Sequence, residues 1–173
     1  MRAKWILNIL VLLFSFSIIS CTKSLPQLPS NKNKKTDKSA SSLMIINHEL
    51  AMKEDNILKK YADSIGSFKK SGIGFWHKIY KSGSGSIIKD SVSCKFYSTL
   101  ELLNGKILET KINQLIIGKR QTIVGLEEGI KLMHKGDSAT FIIPWYLGYG
   151  MIGKDKLIPP YTSIIYKIRI LEE

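Results

Sequence analysis

The sequence has few cysteines, only Cys21 and Cys94 among 173 residues. Two cysteines do not make a disulfide framework, and no group of cysteines and histidines has the spacing of a metal site. Cys94 falls in a stretch where apolar and polar residues alternate, which is typical of a small buried hydrophobic residue. We therefore expect no structural metal and no other cofactor.

Two familiar catalytic patterns are absent as well. The chain shows no serine, histidine and acid at the spacing of a hydrolase, and it has no glycine-rich phosphate loop. Spacing places no acid or nucleophile near His77, and His48 is expected to lie at the surface. Chemistry that needs an activated nucleophile or a phosphate cradle is therefore not expected.

Acidic residues are scarce, with 14 aspartates and glutamates against 26 lysines and arginines and a formal net charge of +12. A chain of this charge can associate weakly with anionic surfaces. Nucleic acid is not expected as a partner, because no recognition motif of interleaved aromatic and basic residues is present. The length suits one domain with additional segments.

A long apolar run occurs only near the N-terminus. Residues 1–20 combine a basic start with apolar residues from Trp5 to Ile19, which is the layout of a secretory signal and is short for a membrane span. The run ends in IISC, similar to the lipobox of bacterial lipoproteins, and Cys21 would then be the lipidated N-terminus. An uncleaved anchor or an ordinary secretory signal is the alternative, and each interpretation places the protein outside the cytoplasm.

Two further segments precede the domain predicted over residues 67–173. Residues 21–43 are predicted to form a flexible basic tether, a solvated spacer whose lysines could also favour anionic lipid. Residues 44–66 are predicted to form an amphipathic helix that packs on the domain or pairs with another protein. Its large side chains recur at near-helical spacing: Ile46, Leu50, Ile57, Tyr61 and Ile65.

The stretch over residues 124–166 predicts a short helix, a strand, a glycine-rich loop and a second strand. Leu126, Ile130 and Met133 recur at i, i+4 and i+7, so they share one helix face. Gly129 lies inside this helix, and we expect it to allow a close approach to a sheet.

Further strands are predicted by alternation over residues 73–80, 92–102, 138–143 and 163–171, with a hairpin turn at Asn104-Gly105. Together these elements predict an α+β fold, an antiparallel sheet curled over one short helix.

The sequences VGLEEGIKLMHKGD, IPWYLGYG and IPP, in this order and spacing, resemble the FKBP family of peptidyl-prolyl isomerases. The resemblance runs from about Val92 to the C-terminus. With the signal, tether and preceding helix, the chain looks most like the gliding-motility-associated FKBP lipoproteins of bacteria.

The resemblance also implies a site for a proline-containing peptide. The Ile123 N–H would bind a substrate carbonyl, the Tyr149 hydroxyl would donate a second hydrogen bond, and Glu109 stands where the family has an aspartate. Apolar walls would come from these residues of the chain: Leu108, Ile123, Leu126, Ile158 and Tyr166.

The chain departs from the family where aromatic walls are expected. Leu126 replaces a tryptophan, Leu108 replaces a phenylalanine, and Ser98 occupies the place of an inward tyrosine. Another wall aromatic falls near Asn113. Losing one such aromatic removes a few kcal/mol of packing, about 3–5 kcal/mol for a fully buried ring.

The resemblance implies a lipid-anchored peptidyl-prolyl cis-trans isomerase that assists proteins folding in the bacterial cell envelope. Turning a peptide bond before proline makes and breaks no covalent bond, so a pocket and hydrogen-bond donors are enough. The alternative hypothesis is a peptide-binding module or chaperone that keeps the fold but has little isomerase activity.

Overall fold

The computed structural model of the chain describes residues 34–81 and 83–172, and it describes side chains for 41–80 and 83–172. The chain divides into two compact units, Met1–Ser41 and Ser42–Glu173. The predicted signal peptide, Cys21 and the first part of the predicted tether lie outside the described residues. No helix in the described ranges combines the length and the apolar character needed to cross a membrane.

Helix α1 runs from Lys34 to Ile65. It begins before Met44, so the prediction that the tether extends to residue 43 and that the helix starts at 44 is wrong on this boundary. Residues 34–43, KKTDKSASSL, contain neither glycine nor proline and several good helix formers, so the chain can continue the helix toward its N-terminus.

The second half of α1 packs on the domain through two buried residues. Leu58 and Ala62 are buried, and they form an apolar cluster with Trp76, Ile142 and Ile165 of the sheet. Because Leu58 and Ala62 are four residues apart, they lie on the same side of the helix. Residues 42–65 of the helix are therefore part of the folded unit that begins at Ser42.

The five large side chains of α1 that recur at near-helical spacing do not form its main contact with the sheet. Of the five, only Tyr61 packs against the buried cluster. The other four side chains are exposed: Ile46, Leu50, Ile57 and Ile65. The apolar residues of this helix occupy more than one side, so their spacing alone does not identify the side that meets the sheet.

Six antiparallel strands form one sheet in the order β1-β2-β5-β6-β3-β4. This confirms the predicted α+β fold with a curled antiparallel sheet. The strands have these bounds: β1 Lys69–Lys70, β2 Trp76–Lys81, β3 Ser93–Leu102, β4 Ile107–Ile116, β5 Ser138–Ile143 and β6 Ile164–Ile170.

Helix α2, Val124–Ile130, packs on the opposite side of the sheet from α1. Leu126, Ile130 and Met133 are all buried, but α2 ends at Ile130, so Met133 follows the helix and does not lie on the helix face that its spacing predicts. A Cβ added to Gly129 would lie 2.9 Å from the Phe141 ring, which confirms the close approach to the sheet. A 3-10 helix follows β5 at Trp145–Leu147.

Neighbouring residues of one strand point to opposite sides of the sheet and join different apolar clusters. In β6, Tyr166 and Ile168 belong to the main core beneath α2, whereas Ile165 belongs to the cluster beneath α1. Cys94 on β3 is buried in the main core, as expected. This alternation follows from the two-residue repeat of a strand.

Candidate functional site

A cavity of about 390 Å³ opens on the main-core side of the sheet. Strands β3, β4 and β6 supply one part of its wall, and the loop that precedes α2 supplies another. Apolar or aromatic side chains alternate with polar and cationic ones around it. The lining residues are Phe96, Lys111, Asn113, Leu115, Arg120, Gln121, Thr122, Ile123, Tyr149, Lys154 and Tyr166.

The loop before α2 is held by two side chains. The buried Glu127 carboxylate accepts hydrogen bonds from the backbone N–H of Gly118 at 2.7 Å and of Arg120 at 3.3 Å. The Gln121 side-chain oxygen accepts a bond from the Ile116 N–H at 2.7 Å. The backbone that leads to Ile123 is therefore fixed to both the helix and strand β4.

Ile123 occupies the N-cap position of α2, with φ −65° and ψ 148°. Its carbonyl accepts the Glu127 N–H at 3.1 Å. Within the described ranges no protein acceptor takes the Ile123 N–H, because the first donors at a helix start have no partner inside the helix. This N–H is therefore available to a ligand of the cavity.

Two tyrosines meet at the cavity. Tyr149 follows the 3-10 helix and Tyr166 lies on β6, and their hydroxyl oxygens are 3.1 Å apart. Burial, together with the hydrogen bond to Tyr149, raises the pKa of Tyr166 well above its usual range. Tyr166 therefore keeps its proton at physiological pH and can act as a hydrogen-bond donor.

A second polar pair lies between β3 and β4. The Asn113 amide donates a hydrogen bond of 2.8 Å to the Ser98 hydroxyl. Ser98 is buried, as its place in the strand alternation predicts, and Asn113 lines the cavity. This wall of the cavity therefore presents the amide of Asn113, and the buried Ser98 hydroxyl holds that amide from behind.

The charged residues of the site are mainly cations. The Glu109 carboxylate lies 3.0 Å from the Lys111 ammonium and 3.7 Å from that of Lys154. The hydrogen bond from Lys111 is the main cause that lowers the pKa of Glu109. The Lys154 ammonium also lies 5.5 Å from the centre of the Tyr149 ring.

The structure brings three of the predicted site residues together, since Ile123, Tyr149 and Tyr166 all line the cavity. Glu109 reaches the cavity only through its ion pairs with two lining lysines. Four predicted substrate-binding residues do not line it, although all are packed in or against the main core or bonded beside it: Leu108, Leu126, Ile158 and Ser98. At three of these positions, Leu108, Leu126 and Ser98, the side chain is shorter than the aromatic residue expected there, so it does not reach the cavity surface.

Several lining residues were not predicted, among them Lys111 and Leu115 on β4. This strand has exposed apolar and exposed polar residues, so its alternation is weak. A usable signal was the hairpin turn at Asn104-Gly105. The turn pairs β3 with β4, but only the register shift between Leu100 and Glu101, which the sequence does not reveal, places Lys111 opposite Ser98 and Asn113 opposite Phe96.

This arrangement of side chains can bind a ligand in the cavity and orient it. Among the described residues, those that line the cavity include no histidine, cysteine, aspartate or glutamate. The cavity combines ring surfaces with backbone and side-chain donors, which suits a group that carries carbonyl oxygens. It is suited to stabilise a strained conformation of a bound peptide.

The sequence model for FKBP-type peptidyl-prolyl cis-trans isomerases matches residues 85–171. A probable FKBP-type peptidyl-prolyl cis-trans isomerase of Haemophilus influenzae is 32% identical over 107 residues, which are 60% of this chain and 44% of that protein. Human peptidyl-prolyl cis-trans isomerase FKBP9 is 31% identical over 83 residues, which are 45% of this chain and 15% of that protein.

The fold is also similar to a solved structure. The crystal structure of AtFKBP13 superposes with a TM-score of 0.59 and 25% sequence identity, and the match covers 62% of this chain and 99% of that one. Of the two curated relatives named above, this chain spans less than half the length of each, 44% and 15%. The family match, residues 85–171, includes strands β3 to β6, α2 and the loops between them.

Proposed function

Since this chain belongs to the FKBP-type peptidyl-prolyl cis-trans isomerase family, we propose that it catalyses the cis–trans isomerisation of peptide bonds that precede proline. One observation carries the proposal. Ile123, Tyr149 and Tyr166 line a single cavity, and no acceptor in the described part of the chain takes the Ile123 N–H.

The chemistry follows from the barrier of the reaction. Rotation about the peptide bond must break its resonance, which sets a barrier of about 18–20 kcal/mol. The Ile123 N–H holds a substrate carbonyl, and the Tyr149 hydroxyl donates to a second polar atom of the twisted bond. The rings of Phe96 and Tyr166 give the proline side chain an apolar surface. No proton moves between enzyme and substrate.

The test is an isomerase assay that uses no coupling protease, on residues 34–173, which include all of α1. The Ile123 N–H can be removed by Ile123→Pro, because a φ of −65° is the value that proline adopts. We expect kcat/KM to fall about five- to thirtyfold below that of Ile123→Ala, which keeps the N–H and trims the side chain. Equal rates for the two variants would rule out the role of this N–H.

A second function is supported by the polar wall. The Asn113–Ser98 pair and the paired tyrosine hydroxyls are polar groups at positions where apolar surface would otherwise contact the proline ring. Polar groups favour hydration of the pocket. A pocket of this kind can bind proline peptides and turn them over slowly, as a binding module or chaperone does. Peptide binding without acceleration in the same assay would favour it. Leu126→Trp is then the direct experiment, since added ring surface should raise the rate.

The proposed place of action is the bacterial cell envelope, where proline-containing segments of folding proteins would be the clients. The support is the sequence of residues 1–21, a basic start, an apolar run and the IISC ending. Two or more acyl chains on Cys21 would anchor the protein stably, at about 0.8 kcal/mol per buried CH₂. Cys21→Ala should move the protein from the membrane fraction to the soluble or unprocessed one. An unchanged distribution would exclude lipidation at Cys21.

A further inference from the structure

The cavity has a marked imbalance of charge. Lys111, Arg120 and Lys154 line it, and within the described ranges no lining residue is acidic. Glu109 is shared by the two lysines, at 3.0 and 3.7 Å from their ammonium groups. Three cations against this one carboxylate leave a net charge of +2 around the opening. Charge of one sign focused in a cleft attracts ligand groups of the other sign.

Arg120 is the cation that this arrangement leaves available. Its guanidinium forms no ion pair with any residue that the structure describes. A guanidinium presents a planar fork of donors that fits a carboxylate through two parallel hydrogen bonds. Neither lysine has this geometry, and both already share Glu109.

The backbone at Arg120 supports a functional use of this side chain. Its φ is 53°, a left-handed conformation that glycine adopts without strain and that other residues adopt only at an energetic cost. The conformation is held by the bond from its N–H to Glu127, with Gly118 on the same carboxylate oxygen. Arg120 therefore extends from a fixed point of the cavity wall.

We propose that this site prefers substrates with an aspartate or glutamate next to the proline, and that Arg120 is the residue that recognises the carboxylate. The inference rests on the proposed isomerase function and names its substrate class. Lys111 and Lys154 add long-range attraction, while Arg120 makes the direct contact. Substrates with a lysine or arginine at the same position are disfavoured by the same charges.

The test compares peptides that differ in one charge. Glutamate and glutamine differ little in shape, so Glu-Pro is paired with Gln-Pro, and Pro-Glu with Pro-Gln, in otherwise identical peptides. In a protease-free assay at about 20 mM salt, we expect kcat/KM for at least one glutamate peptide to exceed its partner by roughly two- to fivefold. The ratio should approach one at about 0.5 M salt, because salt screens exposed charges.

Two variants decide whether Arg120 is responsible. Arg120→Gln should bring the glutamate-to-glutamine ratio close to one. Lys119→Gln removes the same charge from the neighbouring exposed residue, which does not line the cavity, and should leave the ratio unchanged. Equal ratios for the parent chain and Arg120→Gln would overturn the assignment to Arg120.

The outcome also separates this inference from the isomerase function. Isomerisation of all four peptides without any charge preference would overturn the inference and leave the function standing. If no peptide is isomerised, the isomerase function fails. The affinities of the same four peptides, measured with a fluorescent label on each peptide, then decide the inference. Tighter binding of a glutamate peptide would support it, and equal affinities would overturn it.

Discussion

Tyr149 and Tyr166 share a single hydroxyl-to-hydroxyl contact of 3.1 Å at the cavity, and in the described part of the chain neither hydroxyl has another protein partner. Only one of the two protons can lie between the oxygens. Since Tyr166 is the more buried of the two, we infer that it donates and that the Tyr149 proton remains for a substrate. Donation to Tyr149 also strengthens Tyr149 as a donor.

This relationship predicts that activity and stability separate in a double-mutant cycle. Tyr149→Phe removes the donor to substrate and leaves the Tyr166 hydroxyl without its partner. We expect kcat/KM to fall about five- to thirtyfold and the free energy of unfolding to fall by about 1 kcal/mol. Tyr149→Phe combined with Tyr166→Phe should recover most of the stability and none of the rate. Urea unfolding and isomerase kinetics measure the two effects, and recovery of both would contradict the assigned donor.

The hydrogen bonds of the buried Glu127 carboxylate predict that its loss lowers both the stability of the protein and the activity of the site. Glu127→Ala leaves the N–H groups of Gly118 and Arg120 without an acceptor, so we expect a loss of about 1–3 kcal/mol in the free energy of unfolding and a lower kcat/KM. Glu127→Gln keeps one acceptor oxygen and should retain most of both. Glu128→Ala, at the neighbouring position, is the control and should change the free energy of unfolding by less than about 1 kcal/mol.

Glu109 predicts a pH dependence of stability. Its pKa is lowered in the folded protein, mainly by the hydrogen bond from Lys111, so its contribution is present above the ordinary pKa of about 4.3 and is lost as the pH falls through the folded value. Between about pH 5 and 3 the parent chain should therefore lose stability more steeply than Glu109→Gln. Because the side chain is 31% exposed, the difference at neutral pH should stay below about 1 kcal/mol.

The measurement is urea unfolding of the parent chain and Glu109→Gln at a series of pH values. Glu49→Gln, on the exposed side of α1, is the matched control and should follow the parent. Parallel curves for the parent and Glu109→Gln would show that the ion pairs of Glu109 contribute nothing to stability.

The contact of α1 with the sheet predicts that replacing a leucine of this helix by alanine destabilises the protein at one position and hardly at another. Leu58 is fully buried and Leu50 is 37% exposed on the same helix. Leu58→Ala should cost about 2–4 kcal/mol of unfolding free energy, whereas Leu50→Ala should cost less than about 1 kcal/mol. Chemical denaturation compares the two. Similar losses would place the helix contact elsewhere.

The three histidines provide a prediction about mechanism. Among the described residues none of the cavity lining is a histidine, and the reaction transfers no proton. Substituting His48, His77 or His134 by glutamine should therefore leave kcat/KM unchanged, and the rate should be nearly flat between about pH 6 and 8. A bell-shaped profile in that range would indicate general acid–base catalysis.

Much of the fold could be predicted because some elements carry strong local patterns. Strand β6 alternates clearly, and α2 places Leu126 and Ile130 on one buried face, so both elements lie where the sequence predicts. The contact face of α1 could not be predicted, since its apolar residues surround the helix. Strand β1 contains only Lys69 and Lys70 and has no pattern at all.

The site was predictable only in part, for a related reason. Ile123, Tyr149 and Tyr166 lie in or next to segments with distinctive spacing, whereas Lys111 and Leu115 lie on a strand where polar residues occupy both faces. Arg120 is in a loop whose shape depends on Glu127, a tertiary contact that spacing does not reveal. Charge around a cavity is a property of several elements together, so no single stretch of sequence shows it.

Strand β6 serves both sides of the sheet with consecutive residues, Ile165 under α1 and Tyr166 at the cavity. Substitutions can therefore alter one side while the other is maintained, which allows pocket and helix contact to evolve separately. An insertion of one residue within the strand would exchange the two sides, because side chains alternate with a period of two. Homologous chains should accordingly differ in this strand by replacement and keep its length constant.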